Sequence, residues 1–131
     1  MHSEIDIETL ARTVYGEARG ESYRGKQAVA WVVLNRAAGK KKLADVCRAK
    51  WQFSCWNPDD PNRVKMGKVT LADPNFRDCM LAALSVVQGL AGPDPTEGSK
   101  HYHTPAVAPF WGRGKEPVCR IGNHLFFNDI D

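Results

Sequence analysis

Apolar residues recur at three- to four-residue spacing near the start of the chain, at Ile7, Leu10, Ala11 and Val14, which is the period of a helix buried on one side. Ser3 stands three residues ahead of Asp6, a capping box with Asp in place of the usual Glu or Gln. The pattern predicts a helix over residues 4–18. Glu17 falls three residues after Val14 and seven after Leu10, so it shares their face. Gly16 and Gly20 bracket it, and the run from Ala28 to Leu34 is apolar on every side. That run is too short to span a bilayer and reads as a buried central helix, although its β-branched residues also suit a buried strand. Gly39 marks a stop, followed by Lys40-Lys41-Lys42, a cationic patch that reads as a solvated turn.

Leu43, Val46 and Cys47 predict a short helix. Trp51-Gln52-Phe53-Ser54-Cys55-Trp56 is dense in aromatics and fits either a core strand or turn or a wall on which sugar rings stack. Residues 57–63 carry turn residues throughout and read as a loop. Asp73 and Pro74 pair as N-cap and first helical position. Phe76, Cys79, Met80, Ala83, Leu84 and Val87 then follow at helical spacing, predicting a helix over residues 74–89. From residue 96 the chain turns to glycine, proline and aromatics, as in short strands and loops packed on a helical part. There is no internal repeat, low-complexity tract or linker, so a single domain over residues 1–131 is expected.

Composition narrows the classes. Of the 131 residues, 43% are apolar and 25% charged, which is ordinary for a globular domain. The net charge of +3 favours a polyanionic surface and is too small to point to nucleic acid. No apolar run is long enough for a membrane span, and the polar, acidic first six residues lack the pattern of a signal peptide. Cys47, Cys55, Cys79 and Cys119 form no C-x-x-C pair, and reduced, mostly buried thiols are expected.

The candidate chemistry centres on Glu17. A carboxylate at the end of an apolar stripe loses water, which favours the neutral form a general acid needs. A helix C-terminus disfavours a carboxylate, a local conflict of the kind found at working sites; the competing reading is a solvated side chain in a frayed last turn. Glu21, four residues on, is either a second catalytic carboxylate or, the favoured reading, a loop anchor that bonds backbone or an arginine. Asp59 and Asp60 lie in the predicted loop and read as solvated.

The segment Leu10-Ala11-Arg12-Thr13-Val14-Tyr15-Gly16-Glu17-Ala18-Arg19-Gly20-Glu21, continued through Gly25 to Ala28-Val29-Ala30-Trp31-Val32-Val33-Leu34-Asn35-Arg36, resembles the cell-wall hydrolase family typified by bacterial spore-cortex-lytic enzymes, which also includes phage endolysins. The resemblance continues at Phe53-Ser54, at Asp94-Pro95-Thr96 with Gly98, at the Tyr102 segment ending in Pro105, and at Ile121-Gly122-Asn123-His124. It implies an α+β, mainly α, lysozyme-like fold: a helical lobe, a small irregular β part and a glycan groove between them. It implies cleavage of peptidoglycan between N-acetylmuramic acid and N-acetylglucosamine, with Glu17 as the catalytic glutamate. The chain offers no convincing second carboxylate. A retaining or inverting hydrolase needs one; a lytic transglycosylase does not, and that chemistry is favoured over a hydrolytic muramidase. Ser54, Tyr102 and His103 are the candidates for binding substrate. Trp56 and His124 join them, each with a competing structural reading. His101 and His103 stand where the spore enzymes carry tyrosines.

Two rival readings follow from the same residues. His101 and His103 alternate, so on a strand they share a face, and with His124 and an acid they would make a zinc site of an amidase or peptidase. Trp51, Trp56 and Trp111 would instead be the stacking platforms of a non-catalytic carbohydrate-binding module. The favoured expectation needs neither metal nor cofactor. It has peptidoglycan as partner, no nucleic acid and no membrane insertion. It is a monomeric phage or prophage endolysin, held in the cytoplasm until released to the cell wall.

Overall fold

The computed structural model describes residues 2–50 and 52–130. The first helix, α1 (Glu4–Ala18), keeps the predicted bounds, with the Ser3 and Asp6 side chains each accepting the other's backbone N–H. Leu10, Ala11 and Val14 are fully buried along it. α2 (Tyr23–Ala37) starts at Ser22, whose hydroxyl accepts the Gly25 N–H. It ends at Ala38 and Gly39, both in the left-handed region at φ 50° and 71°. The helical reading of the apolar run therefore holds, and the strand alternative does not.

Packing explains why the run from Ala28 to Leu34 within α2 is apolar all round. Val29, Ala30 and Val33 join Leu10, Ala11 and Val14 of α1 in the main core. A neighbouring face, Ala28 and Val32, packs instead on Ile121 and Phe126. A helical stretch wedged between helices and a sheet has little solvent side to keep polar. Its one buried charge, Lys26, is paired with Asp78 at 2.7 Å, as a buried ammonium requires.

Around this pair sit α3 (Leu43–Arg48), α4 (Asn62–Lys68) and α5 (Pro74–Val87). α5 begins as predicted, with Asp73 accepting the N–H groups of Asn75 and Phe76. It ends two residues earlier than its pattern suggests, just before Gly89 at φ 73°. α4 was not expected from the sequence. Its helix rests on Met66, its fully buried residue, and on two outside supports. Asp60 accepts the Asn62 N–H at 2.8 Å. Arg12 of α1 donates to the Met66 and Val69 carbonyls at 2.7 and 2.9 Å, filling acceptors that a helix end leaves open.

The sheet is antiparallel in the order β1-β3-β2, with β1 at His101–His103, β2 at Cys119–Ile121 and β3 at His124–Phe127. A two-residue turn joins β2 to β3, with Gly122 at φ 58°, a conformation glycine adopts without strain. Because side chains alternate across a strand, Tyr102 and its partner Phe126 share the face that meets α2. His101, paired with Phe127, and His103, paired with Leu125, share the other. The result is mainly α with a small β part beside it, the α+β arrangement expected.

Candidate functional site

The end of α1 can be followed residue by residue. Tyr15 is buried with its ring edge-on to Phe76, and Arg19 lies over the Tyr15 ring at 5.1 Å. At Gly16 an added Cβ would stand 2.8 Å from Cys55 Cβ and 2.9 Å from both the Cys55 and Met66 sulfurs. Only glycine lets α1 lie this close to α4 and to the short 3-10 turn Ser54–Trp56. Gly20 meets nothing within 4 Å, so no contact in the structure explains a glycine there. Arg19 donates to the Asn62 side chain at 2.7 Å. Glu21 is the loop anchor the sequence suggested: its oxygens accept the Asn123 backbone N–H at 2.9 Å and the Asn123 amide at 3.2 Å. This clamp fixes the β2–β3 turn to the helical part.

Between these two clamped parts runs an open groove of about 430 Å³. The helical side supplies Glu17, Arg36 and Asn62, and the segment between α3 and α4 supplies Gln52, Ser54 and Asn57. The β side supplies Tyr102, His103, Thr104 and His124. Among the described residues lining it, Glu17 is the only carboxylate.

Glu17 is held at both oxygens. The Tyr102 hydroxyl donates to Oε1 at 2.5 Å and the Cys55 N–H to Oε2 at 3.4 Å. Tyr102 is fixed in turn by the rings of Phe53, His124 and Phe126 at 6.5, 4.7 and 5.7 Å between centroids. Burial, reinforced by the Glu17 charge, pushes the Tyr102 phenol well above its usual range, so it remains a neutral donor. Burial and the same charge push the Cys55 thiol up as well, which removes it as a thiolate nucleophile. His124 is buried, and burial lowers its pKa against the opposing pull of Glu21 and Glu17; the neutral imidazole is favoured. Its Nδ1 has no partner among the described residues. Burial likewise lowers Arg36, which still carries its charge. Its guanidinium lies over the Phe53 ring at 4.7 Å and donates to the Lys100 carbonyl at 2.6 Å and to Gln52 at 3.1 Å.

Ser54, Tyr102, His103 and His124 thus line the groove with Glu17. Trp56 does not. Its indole N–H donates to Thr13 at 2.8 Å, and Arg48 and Arg63 lie at 4.8 and 5.3 Å from its ring. With both neighbours cationic and its polar atom satisfied, it braces α1 against the 3-10 turn, which is its structural reading. Asp60 accepts the Asn62 N–H at the start of α4, and Asp59 is exposed. The three histidines do not converge. His101 and His103 share a sheet face with Trp111, at 5.0 and 5.5 Å, whereas His124 packs on Tyr102 from the other face. No group of three or more His, Cys, Asp or Glu is placed to hold a metal among the described residues. Of the proposed stacking platforms, Trp111 is half-buried and packs against His101, His103 and Phe127, and Trp51 lies outside the described residues.

Sequence reasoning assigned no role to Arg36, Gln52, Asn57 and Asn62. Arg36 closes the long run quoted above and was open to notice. The two asparagines sit among turn residues that read as a solvated loop. The Asp94-Pro95-Thr96 motif with Gly98 has a structural explanation. Asp94 accepts the Thr96 N–H and hydroxyl at 2.8 and 2.7 Å, the Gly98 N–H at 3.0 Å and the Asn35 amide at 2.9 Å. It builds the turn that delivers β1, and with it Tyr102, to α2.

Residues 20–127 match the model of the cell wall hydrolase family. The match begins just past Glu17, but similarity to individual relatives extends over nearly the whole chain. The spore cortex-lytic enzyme of Bacillus subtilis (strain 168) is 35% identical over 95% of this chain, and that of Halalkalibacterium halodurans is 33% identical over 97%. The chain spans only 38% and 36% of the length of these two relatives. Two solved catalytic domains are similar over nearly their own full extent. That of the germination-specific lytic transglycosylase SleB from Bacillus anthracis has a TM-score of 0.73 at 30% identity, covering 95% of each chain. The catalytic domain of Bacillus cereus SleB has a TM-score of 0.73 at 32% identity, covering 96% of this chain and 91% of that one.

Proposed function

The chain belongs to the cell wall hydrolase family, and from that premise we propose that it cuts the glycan strands of peptidoglycan between N-acetylmuramic acid and N-acetylglucosamine as a lytic transglycosylase. The observation that carries this reading is the single carboxylate, Glu17, among the described groove residues. The naming of a structural relative as a lytic transglycosylase supports it.

Glu17 in its neutral form gives its proton to the glycosidic oxygen as the bond to the muramic carbon C1 breaks. The N-acetylglucosamine side leaves with a free 4-hydroxyl, and positive charge develops on the muramic ring. Glu17, now ionised, receives the Tyr102 hydroxyl and the Cys55 N–H, donors already aimed at the charge that appears. It then takes the proton of the muramic 6-hydroxyl, whose oxygen bonds to C1 and closes a 1,6-anhydro ring. The proton balance returns Glu17 to its starting state, and no water is consumed. Hydrolysis by the two-carboxylate routes would need a second acid placed about 5–9.5 Å away; Glu21, the next acid along the chain, is committed to Asn123.

The proposal includes a setting, that of a phage or prophage endolysin held in the cytoplasm until release. Support comes from the four cysteines, all unpaired in the structure, a state that suits a reducing compartment. Digestion of purified peptidoglycan followed by mass measurement of the fragments tests the chemistry. Fragments ending in anhydro-muramic acid, one water lighter than a reducing end, are expected, and none from Glu17→Gln. Reducing ends would make the enzyme a hydrolytic muramidase. Free peptide stems with intact strands would overturn strand cutting altogether.

A further inference from the structure

Beside the groove lies a second open cavity of about 380 Å³, and the two share Arg36 and Gln52 as a common wall. That wall is a bonded pair, with Arg36 donating to Gln52 at 3.1 Å. Lys41 and Lys100 stand on the cavity's other sides, Val46 and Ala49 give it an apolar patch, and Asp45 is the only acid among the described residues lining it. Three cations against one carboxylate make it electropositive. Neither Lys41 nor Lys100 is ion-paired among the described residues. Arg36 is immobilised by its bonds to the Lys100 carbonyl and Gln52, so its charge is presented in a fixed position. His101, also at this cavity, has its pKa lowered by burial first and then by the charges of Arg36 and Lys100; the neutral imidazole is favoured, so the cavity's positive charge comes from the lysines and Arg36.

Glycan lying over Glu17 places one muramic acid at the groove. In peptidoglycan that sugar carries a short peptide on its lactyl group, rich in alanine and ending in carboxylates. We infer that the cavity beyond the Arg36–Gln52 wall receives this peptide stem, with Lys41, Lys100 and Arg36 binding its carboxylates and Val46 and Ala49 meeting its alanyl methyl. The cavity thereby selects strands that still bear stems over bare glycan. The cationic turn that reads as merely solvated in the sequence supplies one of the two lysines. The inference rests on the strand-cutting reading above, because it needs muramic acid at Glu17.

The test compares peptidoglycan with stems against the same material stripped of stems by an amidase. For each, kcat/KM is measured with the wild type, with Lys41→Glu/Lys100→Glu, and with a charge-matched control, Lys65→Glu/Lys68→Glu, on exposed positions of α4. The stem-bearing to stem-free ratio is expected to fall about tenfold in the first variant, in line with reversing two rim charges against an anionic ligand. In the control both rates shift together and the ratio holds. An unchanged ratio in the first variant, or an equal fall in the control, overturns the inference and leaves strand cutting standing. Binding of soluble N-acetylmuramyl-L-alanyl-D-glutamate, followed by NMR, is read separately. Wild-type binding that the double variant loses, in a protein that cuts no strand, would retain the pocket and remove the enzyme reading. Absence of wild-type binding, or binding untouched by the double variant, counts against the pocket.

Discussion

Tyr102 reaches Glu17 from 85 positions away in the chain, and its hydroxyl is the shorter of the two bonds the carboxylate accepts. A phenol held neutral there holds the carboxylate in place and stabilises the negative charge left after proton donation. Tyr102→Phe keeps the ring packed on Phe53, His124 and Phe126, so the fold is retained. A hydrogen bond to a charged group is worth about 1.5–3 kcal/mol, which corresponds to roughly 10- to 150-fold in kcat. The expected result in steady-state turnover of peptidoglycan is that loss with KM little moved, because the bond serves the reacting state rather than binding. A variant with wild-type kcat would show that Tyr102 is only a packing residue. Glu17 was legible from its place after Val14 on the stripe. Tyr102 was legible only through the family resemblance, since nothing in a short, polar-flanked strand says which side chain will face a residue near the other end of the chain.

At the scale of elements, the helix boundaries carried in side-chain chemistry were readable. Asp6 shows why and also what escaped. Its carboxylate accepts the Ser3 N–H and hydroxyl at 3.3 and 3.1 Å within α1, as the capping box predicts. Its other oxygen accepts the Ala44 N–H of α3 at 3.0 Å, a long-range bond that no local pattern announces. The Ala44 N–H is the main cause holding the Asp6 carboxyl below its ordinary 3.8, with Ser3 adding to it and burial opposing. A carboxyl depressed in the folded state contributes stability that is present above the unfolded pKa and lost as pH falls through the lower folded value. Urea midpoints between about pH 2 and 6 are therefore expected to drop on the acid side of 3.8 more steeply for the wild type than for Asp6→Asn. Asp6→Asn should also be the less stable protein near neutrality. Parallel curves would mean that Asp6 is not a coupling point between α1 and α3. α4 was missed for a related reason: a seven-residue helix anchored by Met66, Asp60 and Arg12 has too short an apolar pattern to read.

Across the whole molecule, the apolar run of α2 was legible as buried, and its position between two packed layers accounts for it. The groove was not legible as an assembly, because Asn57, Asn62, Arg36 and Gln52 are ordinary polar residues that only the fold brings together. The cysteines bring both lessons into one measurement. Reduced, mostly buried thiols were expected, and the structure has all four unpaired with Cys47, Cys55 and Cys79 buried. Burial pushes Cys47 up to about 12 and Cys79 up to about 11, and raises Cys55 further. Cys119, partly exposed with its thiol 3.5 Å from the Pro95 carbonyl, is raised too. Thiolate and access are both needed for reaction, so the three core thiols can react only when the helices around them open. A colorimetric thiol titration of protein purified without reductant is expected to find Cys119 reacting first in the native state. The other three should follow at the rate of opening, with all four accounted for in denaturant. A deficit of two in denaturant would reveal a disulfide and overturn the reducing-compartment setting. Two or more fast thiols in the native protein would mean that the core around Gly16 and Cys55, which fixes the floor beneath Glu17, is looser than this packing requires.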